Sequence, residues 1–190
     1  MPGDATRTPV DPTPRIVYYG PGLAGKTTNL VRLAAAAGIA DAVTVVETAA
    51  GADRCEFLPL PRRAGALTLH LVAVPGRLAR AEDRRRLLRG AHGVIYVADG
   101  RAARQDANLV LLDELGAHLA DAGGAPAGFP LVLQYNHRDL PDAVPPADMD
   151  RLLNGRGWPA VPACALTGDG VGATLDALVA LLVQGTLPPR

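Results

Sequence analysis

The sequence predicts a three-layer α/β fold in which helices cover both faces of a mainly parallel sheet. Three observations carry that prediction. Short β-rich runs alternate with segments of helical spacing along the chain, the pattern that crossover units leave in a sequence. A glycine-rich stretch, Gly20-Pro21-Gly22-Leu23-Ala24-Gly25-Lys26-Thr27, lies between the first strand-like run and the first helix-like one. The chain has 190 residues, 48% of them apolar, which suits one domain with its own core.

The elements follow in order. Residues 16–19 (IVYY) read as a strand. A helix follows Lys26 through TTNLVRLAAAAG, with Gly38 as its C-terminal stop. Residues 57–60 and 67–74 read as two strands around a turn at 62–65, and Pro75-Gly76 ends the second. An arginine-rich exposed helix is expected over 79–89 and a buried strand over 93–99. Leu109, Leu112, Leu115 and Leu119 recur at helical spacing and mark one core-facing helix face. A strand over 130–135, a short helix near 146–153, a strand over 160–165 and an amphipathic helix over 171–183 complete the series. Residues 1–14, with Pro2, Pro9, Pro12 and Pro14, read as a flexible leader, 15–185 as the domain, and 186–190 as a short tail.

Several function classes are disfavoured. Formal charges cancel, so there is no global attraction to nucleic acid or an anionic membrane. No secretory signal, lipidation cysteine or stretch of roughly 18 apolar residues is present, which points to a cytoplasmic protein without a membrane anchor. Cys55 and Cys164 form no CxxC and read as reduced, buried thiols. Arg80, Arg84, Arg85, Arg86 and Arg89 read as a solvated helix face, or as a docking face for a partner protein. His70 is a hydrogen-bonded or exposed histidine and Trp158 a loop anchor. Asp99 closes a strand where such folds bind ligands, yet reads as an exposed turn residue.

The glycine-rich stretch satisfies G-x-x-x-x-G-K-[ST], with a strand before it and a helix after it. Gly20 and Gly25 let the backbone curl around a phosphate chain, and successive N–H groups point inward. The helix adds the positive end of its dipole. Lys26 is the chain's only lysine, all its other Lys-or-Arg positions being arginine. A compact ammonium on a flexible stem reaches between phosphates where a planar, forked guanidinium does not fit. Phosphate contacts are therefore assigned to Gly20, Gly22, Leu23, Ala24, Gly25, Lys26, Thr27 and Thr28, with the Thr27 hydroxyl as a Mg²⁺ ligand.

Asn136-His137-Arg138-Asp139 directly follows a strand. Guanine-nucleotide-binding proteins carry N-K-x-D there, and its aspartate accepts from guanine N1 and N2. Adenine leaves such a buried carboxylate unpaired, which is where discrimination becomes large. Asn136 would brace the loop and His137, in place of lysine, would stack on the base. Ala163, Cys164, Ala165 and Leu166 fall where a second base-contacting segment, S-A-K, would stand, without its usual side chains. A P-loop kinase or ATPase would explain the first motif and leave the second unexplained.

The segments IVYYGPGLAGKTTNL, FLPL, VPG, LRGAHGVIYVAD and NHRDLPDA resemble the MglA family of bacterial Ras-like GTPases, which regulate gliding motility and cell polarity. The resemblance runs from Arg15 to Val183. It implies a P-loop NTPase of the Ras-like G-domain type with a six-stranded sheet, a GTP/GDP switch with Mg²⁺, and Gly76 at the phosphates. It also implies a homodimeric Roadblock-type (MglB-like) partner that promotes hydrolysis, the chain itself being monomeric when free. Against that family's V-P-G-Q, however, this chain has Val74-Pro75-Gly76-Arg77, so Arg77 occupies the position of the water-orienting glutamine. Arginine cannot orient water as an amide does, although a finger supplied in cis is worth about 10³–10⁵ in rate. Ala73 stands where many GTPases place a metal-side aspartate, and Gly51 and Ala52 where the family carries Arg-Thr. Thr48, Asp53 or Arg54 would substitute if that loop is shifted. Two readings follow: a slow GTPase, or a pseudo-GTPase scaffold that binds GTP or GDP without hydrolysing it.

Overall fold

The computed structural model describes residues 13–47, 54–62, 67–75, 81–121 and 129–186. Its strands are β1 (Arg15–Tyr19), β2 (Thr44–Glu47), β3 (Arg54–Arg62), β4 (Leu67–Ala73), β5 (Gly93–Asp99), β6 (Leu131–Asn136) and β7 (Ala160–Pro162). The helices are α1 (Lys26–Ala36), α2 (Ala81–Leu88), α3 (Gln105–Asp121), α4 (Pro146–Leu153) and α5 (Val171–Thr186). All seven strands form one sheet in the order β2-β3-β4-β1-β5-β6-β7. Pairing is parallel from β4 through β7, while β2–β3 and β3–β4 are antiparallel.

The sheet therefore has one strand more than the six expected. The extra strand is β2, whose Thr44 to Glu47 pair with Phe57 to Arg54 at the sheet's edge. Its valines are largely exposed, so the segment had no buried run to announce it. Pro59 and Pro61 lie on β3 beyond the point where β2 stops, so their missing N–H groups take no bond from a neighbour on that side.

β1 shows why the central strands read as continuous apolar runs. Ile16 and Tyr18 face a core shared with α1 and α5, through Leu30, Leu33, Leu175 and Leu178. Val17 and Tyr19 face the other core, shared with α2, α3 and α4, through Leu88, Leu115, Leu119, Met149 and Leu153. Leu109 and Leu112 are only partly buried at the rim of that second core. Cys55 and Cys164 are free and buried. Among the described residues, no helix is long and apolar enough to cross a membrane.

Parallel pairing brings the carboxyl ends of β1, β5 and β6 to one edge. Tyr19 lies beside Tyr96, and Asp99 beside Asn136. The glycine-rich loop leaves β1 there and the Asn-His-Arg-Asp loop leaves β6 there, which is where ligands bind in open α/β sheets. β7 ends at Pro162 rather than continuing to residue 165 as expected. The reason is local: the Ala165 N–H is taken by the Asn136 side chain, and the Cys164 N–H by the Asp169 carbonyl.

Candidate functional site

Both glycines at the ends of the phosphate-type loop are required by a close neighbour. A Cβ on Gly20 (φ 137°) would stand 2.2 Å from the Val97 carbonyl oxygen. One on Gly25 (φ 98°) would stand 2.2 Å from Asn136 Nδ2. Between them Leu23 holds a left-handed backbone at φ 67°, a strained conformation that clusters at ligand sites. Lys26 begins α1 and folds back into the loop, its Nζ donating to the Gly20 carbonyl at 2.8 Å and the Pro21 carbonyl at 2.6 Å. Burial lowers its pKa to about 8, with the Glu56 carboxylate acting in the opposite direction. The first turn of α1 carries no acidic residue and no side-chain cap, so its N–H groups are left for an anion. Gly22, Leu23, Gly25, Lys26, Thr27 and Thr28 line one cavity of about 430 Å³, shared with Glu56 and His137.

Asn136 joins three loops. It is fully buried, donates to the Ala24 carbonyl at 2.7 Å and accepts from the Ala165 N–H at 2.8 Å. Beneath it runs a polar ladder that the sequence reading missed. Asn29 donates to the Gly25 carbonyl and exchanges amide hydrogen bonds with Gln134 at 2.9 Å each way, and Gln134 donates to Thr174. These side chains are buried and mutually satisfied, so they fix the start of α1 relative to β6 and α5.

Asp139, expected as a buried carboxylate, is instead exposed at the rim of a second cavity of about 320 Å³, which it shares with Ala163 and Cys164. The Cys164 thiol donates to Asp139 Oδ1 at 3.2 Å and is the chief cause holding that carboxyl below its usual pKa. Cys164 thus makes a polar contact although it lacks the serine hydroxyl of the S-A-K segment. Arg138 turns away under the loop, where it donates to the Val144 carbonyl. Ala165 is buried, whereas Leu166 is exposed and presents its carbonyl to Arg32.

Asp99 corrects a second expectation: it is fully buried, not an exposed turn residue. Arg101 pairs with it through Nη2 at 2.6 Å and Nε at 3.0 Å, and His137 Nδ1 lies 3.0 Å from Oδ1. Arg104 stands 3.6 Å from the same carboxylate and donates to the Gly22 carbonyl at 3.1 Å. Burial pushes the Asp99 pKa up, but hydrogen bonds from His137 and Arg101 outweigh it and hold the carboxyl well below the usual range. His137 has φ 62°, so its ring is fixed from both backbone and side chain at the edge of the phosphate-side cavity.

Of the arginine-rich helix, Arg84 does not belong to a solvated face. It forms a two-pronged pair with Glu114 of α3, at 2.5 Å and 2.7 Å, and Tyr19 donates to the same carboxylate at 3.0 Å. Arg86 is exposed and Arg85 partly so, in line with the expectation. His70 is half-buried, edge-on to Phe57 at 5.2 Å, and Trp158 is tied to Asn154 through its backbone. Gly76, Arg77, Arg80, Thr48, Gly51, Ala52 and Asp53 lie outside the described residues, and Arg54 is placed only as strand backbone.

The chain is 39% identical over 175 residues to the Mutual gliding-motility protein MglA of Myxococcus xanthus (strain DK1622), an alignment covering 89% of this chain and 90% of that protein. The chain belongs to the MglA family. It matches no family model. For an MglA-family chain the three-layer architecture is that of a Ras-like P-loop GTPase, and guanine nucleotide is the ligand class the family implies.

Proposed function

We propose that this MglA-family chain is a guanine-nucleotide switch of the Ras-like kind, acting in bacterial polarity or motility control, with weak hydrolysis of its own. One observation chiefly supports the reading: a single buried amide, Asn136, ties the glycine-rich loop to the loop carrying Asp139 and to the segment carrying Cys164. Phosphate and base contacts then belong to one rigid edge. In this reading the N–H groups of Gly20 to Lys26 and the start of α1 receive the phosphates, with Thr28 beside them. Lys26 leaves its own carbonyls to pair with the β- and γ-phosphates. Asp139, positioned by Cys164, reads the guanine edge, with Ala165 and Leu166 offering backbone groups and His137 stacking on the ring. Gly76 would meet the γ-phosphate, and Arg77 would stand at the position of the water-orienting glutamine.

Thr27 lines the phosphate-side cavity, and its hydroxyl is a hard oxygen donor of the kind Mg²⁺ takes. Among the described residues there is no group of three or more acidic, His or Cys side chains that could hold a metal ion on its own. Bound there, Mg²⁺ would neutralise phosphate charge. A Roadblock-type homodimer as activating partner, a free monomer and a cytoplasmic location complete the proposal, with residues 15–185 as the G domain between a leader and a tail.

Ala73 at the end of β4 and Arg77 in the sequence favour a second reading, in which nucleotide is held and not turned over. A single-turnover assay separates the two: purified protein, slightly less GTP, Mg²⁺, and chromatography of bound nucleotide over many hours. GDP forming at or above about 10⁻⁴ s⁻¹, the order of an unassisted Ras-type enzyme, identifies a GTPase. Retained GTP with no GDP above a no-protein control identifies a scaffold. No retained nucleotide refutes both.

A further inference from the structure

The carbonyl oxygens of the glycine-rich loop are held one by one by side chains. Lys26 Nζ takes those of Gly20 and Pro21, Arg104 that of Gly22, Asn136 that of Ala24, and Asn29 that of Gly25. In a trans peptide the N–H points opposite to the C=O, so each bond also directs the N–H of the next residue. When Lys26 turns to phosphate, the bond from Arg104 Nη2 to the Gly22 carbonyl, at 3.1 Å, remains as the side-chain anchor on the first half of the loop among the described residues.

That anchor falls where the backbone needs one. Leu23 holds φ 67° with its side chain 70% exposed, so packing does not keep it in the left-handed region. Turning the Gly22–Leu23 peptide over would relieve Leu23 and swing its N–H round to the Arg104 side. Among the described residues no acceptor engages that N–H, and Gly22 and Leu23 both line the phosphate-side cavity.

Charge balance at Asp99 does not account for Arg104. Arg101 already meets that carboxylate with two hydrogen bonds, at 2.6 Å and 3.0 Å. Arg104 Nε lies 3.6 Å from it, buried and without a hydrogen-bond partner among the described residues. The backbone beneath Arg104 is fixed. Its N–H closes the 3₁₀ turn Ala102–Arg104 onto the Arg101 carbonyl at 3.0 Å. Gln105 donates to the carbonyls of Asp99 and Arg101, and the fully buried Asn108 donates to that of Asp99. The guanidinium thus reaches the loop from a rigid base, with Asp99 beside it as counter-charge.

We propose that Arg104 is a positioning residue for the phosphates: by holding the Gly22 carbonyl it keeps Leu23 left-handed and turns the Leu23 N–H into the phosphate-side cavity. The inference rests on the guanine-nucleotide reading above. It gives the strained peptide of the loop an anchor outside the motif, 82 residues further along the chain.

The test measures release of GDP carrying a fluorescent ribose label from full-length protein in Mg²⁺. Arg104→Ala is compared with wild type and with Arg151→Ala on the exposed side of α4 as a control. Arg104→Ala should release labelled GDP about tenfold faster or more, since a hydrogen bond from a charged donor is lost. Arg104→Lys keeps one donor and should recover most of the retention. Glycine adopts φ 67° without strain, so in a Leu23→Gly background the same Arg104→Ala change should cost about threefold or less. Competition with inosine diphosphate, which lacks the 2-amino group of guanine, should show both diphosphates weakened by the same factor in Arg104→Ala.

Wild-type release rates in Arg104→Ala overturn the proposal and leave Arg104 as a second counter-ion for Asp99. An equal loss in the Leu23 and Leu23→Gly backgrounds overturns it too, because Arg104 would then not act through the strained peptide. A fall in the preference for GDP over inosine diphosphate places the effect in the base loop, through Asp99 and His137, and overturns it likewise. Wild type that retains no labelled GDP overturns the guanine-nucleotide reading itself, and the inference with it.

Discussion

Gly25 and Asn136 occupy one another's space, and that gives a quantitative prediction. Asn136→Ala leaves the Ala24 carbonyl and the Ala165 N–H without the partners they have at 2.7 Å and 2.8 Å, both residues being buried. At about 1–3 kcal/mol for each of the two unsatisfied groups, the expected loss is about 2–6 kcal/mol. Gly25→Ala adds a Cβ 2.2 Å from Asn136 Nδ2, which must expel that side chain and break the same two bonds. It also places a β-carbon at φ 98°, costing about 1–2 kcal/mol more. In the double variant the collision is gone and only the backbone strain remains to be added. The double variant should therefore be about as unstable as Gly25→Ala alone, with a coupling of about 2–6 kcal/mol. Urea unfolding of the four nucleotide-free proteins, followed by Trp158 fluorescence, measures the cycle. Losses that add to within about 0.5 kcal/mol would refute the argument, because the two residues would then not compete for one volume.

Other consequences follow from the same geometry. Asp99 is held ionised well below the usual carboxylate range, so its contribution is fully present above about pH 4 and is lost as pH falls further towards its folded pKa. Asp99→Asn should cost about 2–3 kcal/mol at pH 7 and flatten the acid limb of the stability curve; equal slopes for both proteins down to pH 3 would contradict this. Arg84→Ala should cost about 1.5–3 kcal/mol and raise amide hydrogen exchange in α2 far more than in β5, and unchanged exchange in α2 would show that the Glu114 pair is not its anchor. Cys164→Ala should lower the preference for GTP over ATP about 2–10-fold, with Cys164→Ser restoring it, since one hydrogen bond to Asp139 is at stake. Competition binding reads that ratio directly, and an identical ratio in all three proteins would remove Cys164 from base recognition.

The phosphate-type loop was legible because its demands are local. Strand, glycine spacing, lysine and helix start all fall within one short stretch, and the observed contacts of Gly20 and Gly25 give the spacing its steric reason. The order of apolar and polar segments located all five α-helices of the described residues and six of the seven strands, missing β2, which is short and exposed at the edge. Asp99 was misread because charge at a strand end usually meets water. Its burial depends on Arg101, Arg104 and His137, whose convergence no spacing reveals. The joining role of Asn136 was equally hidden. Asn136 reaches 112 residues back to Ala24 and 29 forward to Ala165.

The most direct test of the account is equilibrium competition of GTP, ATP and xanthosine triphosphate for the wild-type chain and for Asp139→Asn. A site built around a base-reading carboxylate should prefer GTP to ATP by about 10³-fold or more. Asp139→Asn should surrender that preference and gain xanthosine triphosphate. Comparable binding of ATP and GTP by wild type, or an unaltered GTP preference in the variant, would contradict the claim that this MglA-family site reads guanine through Asp139.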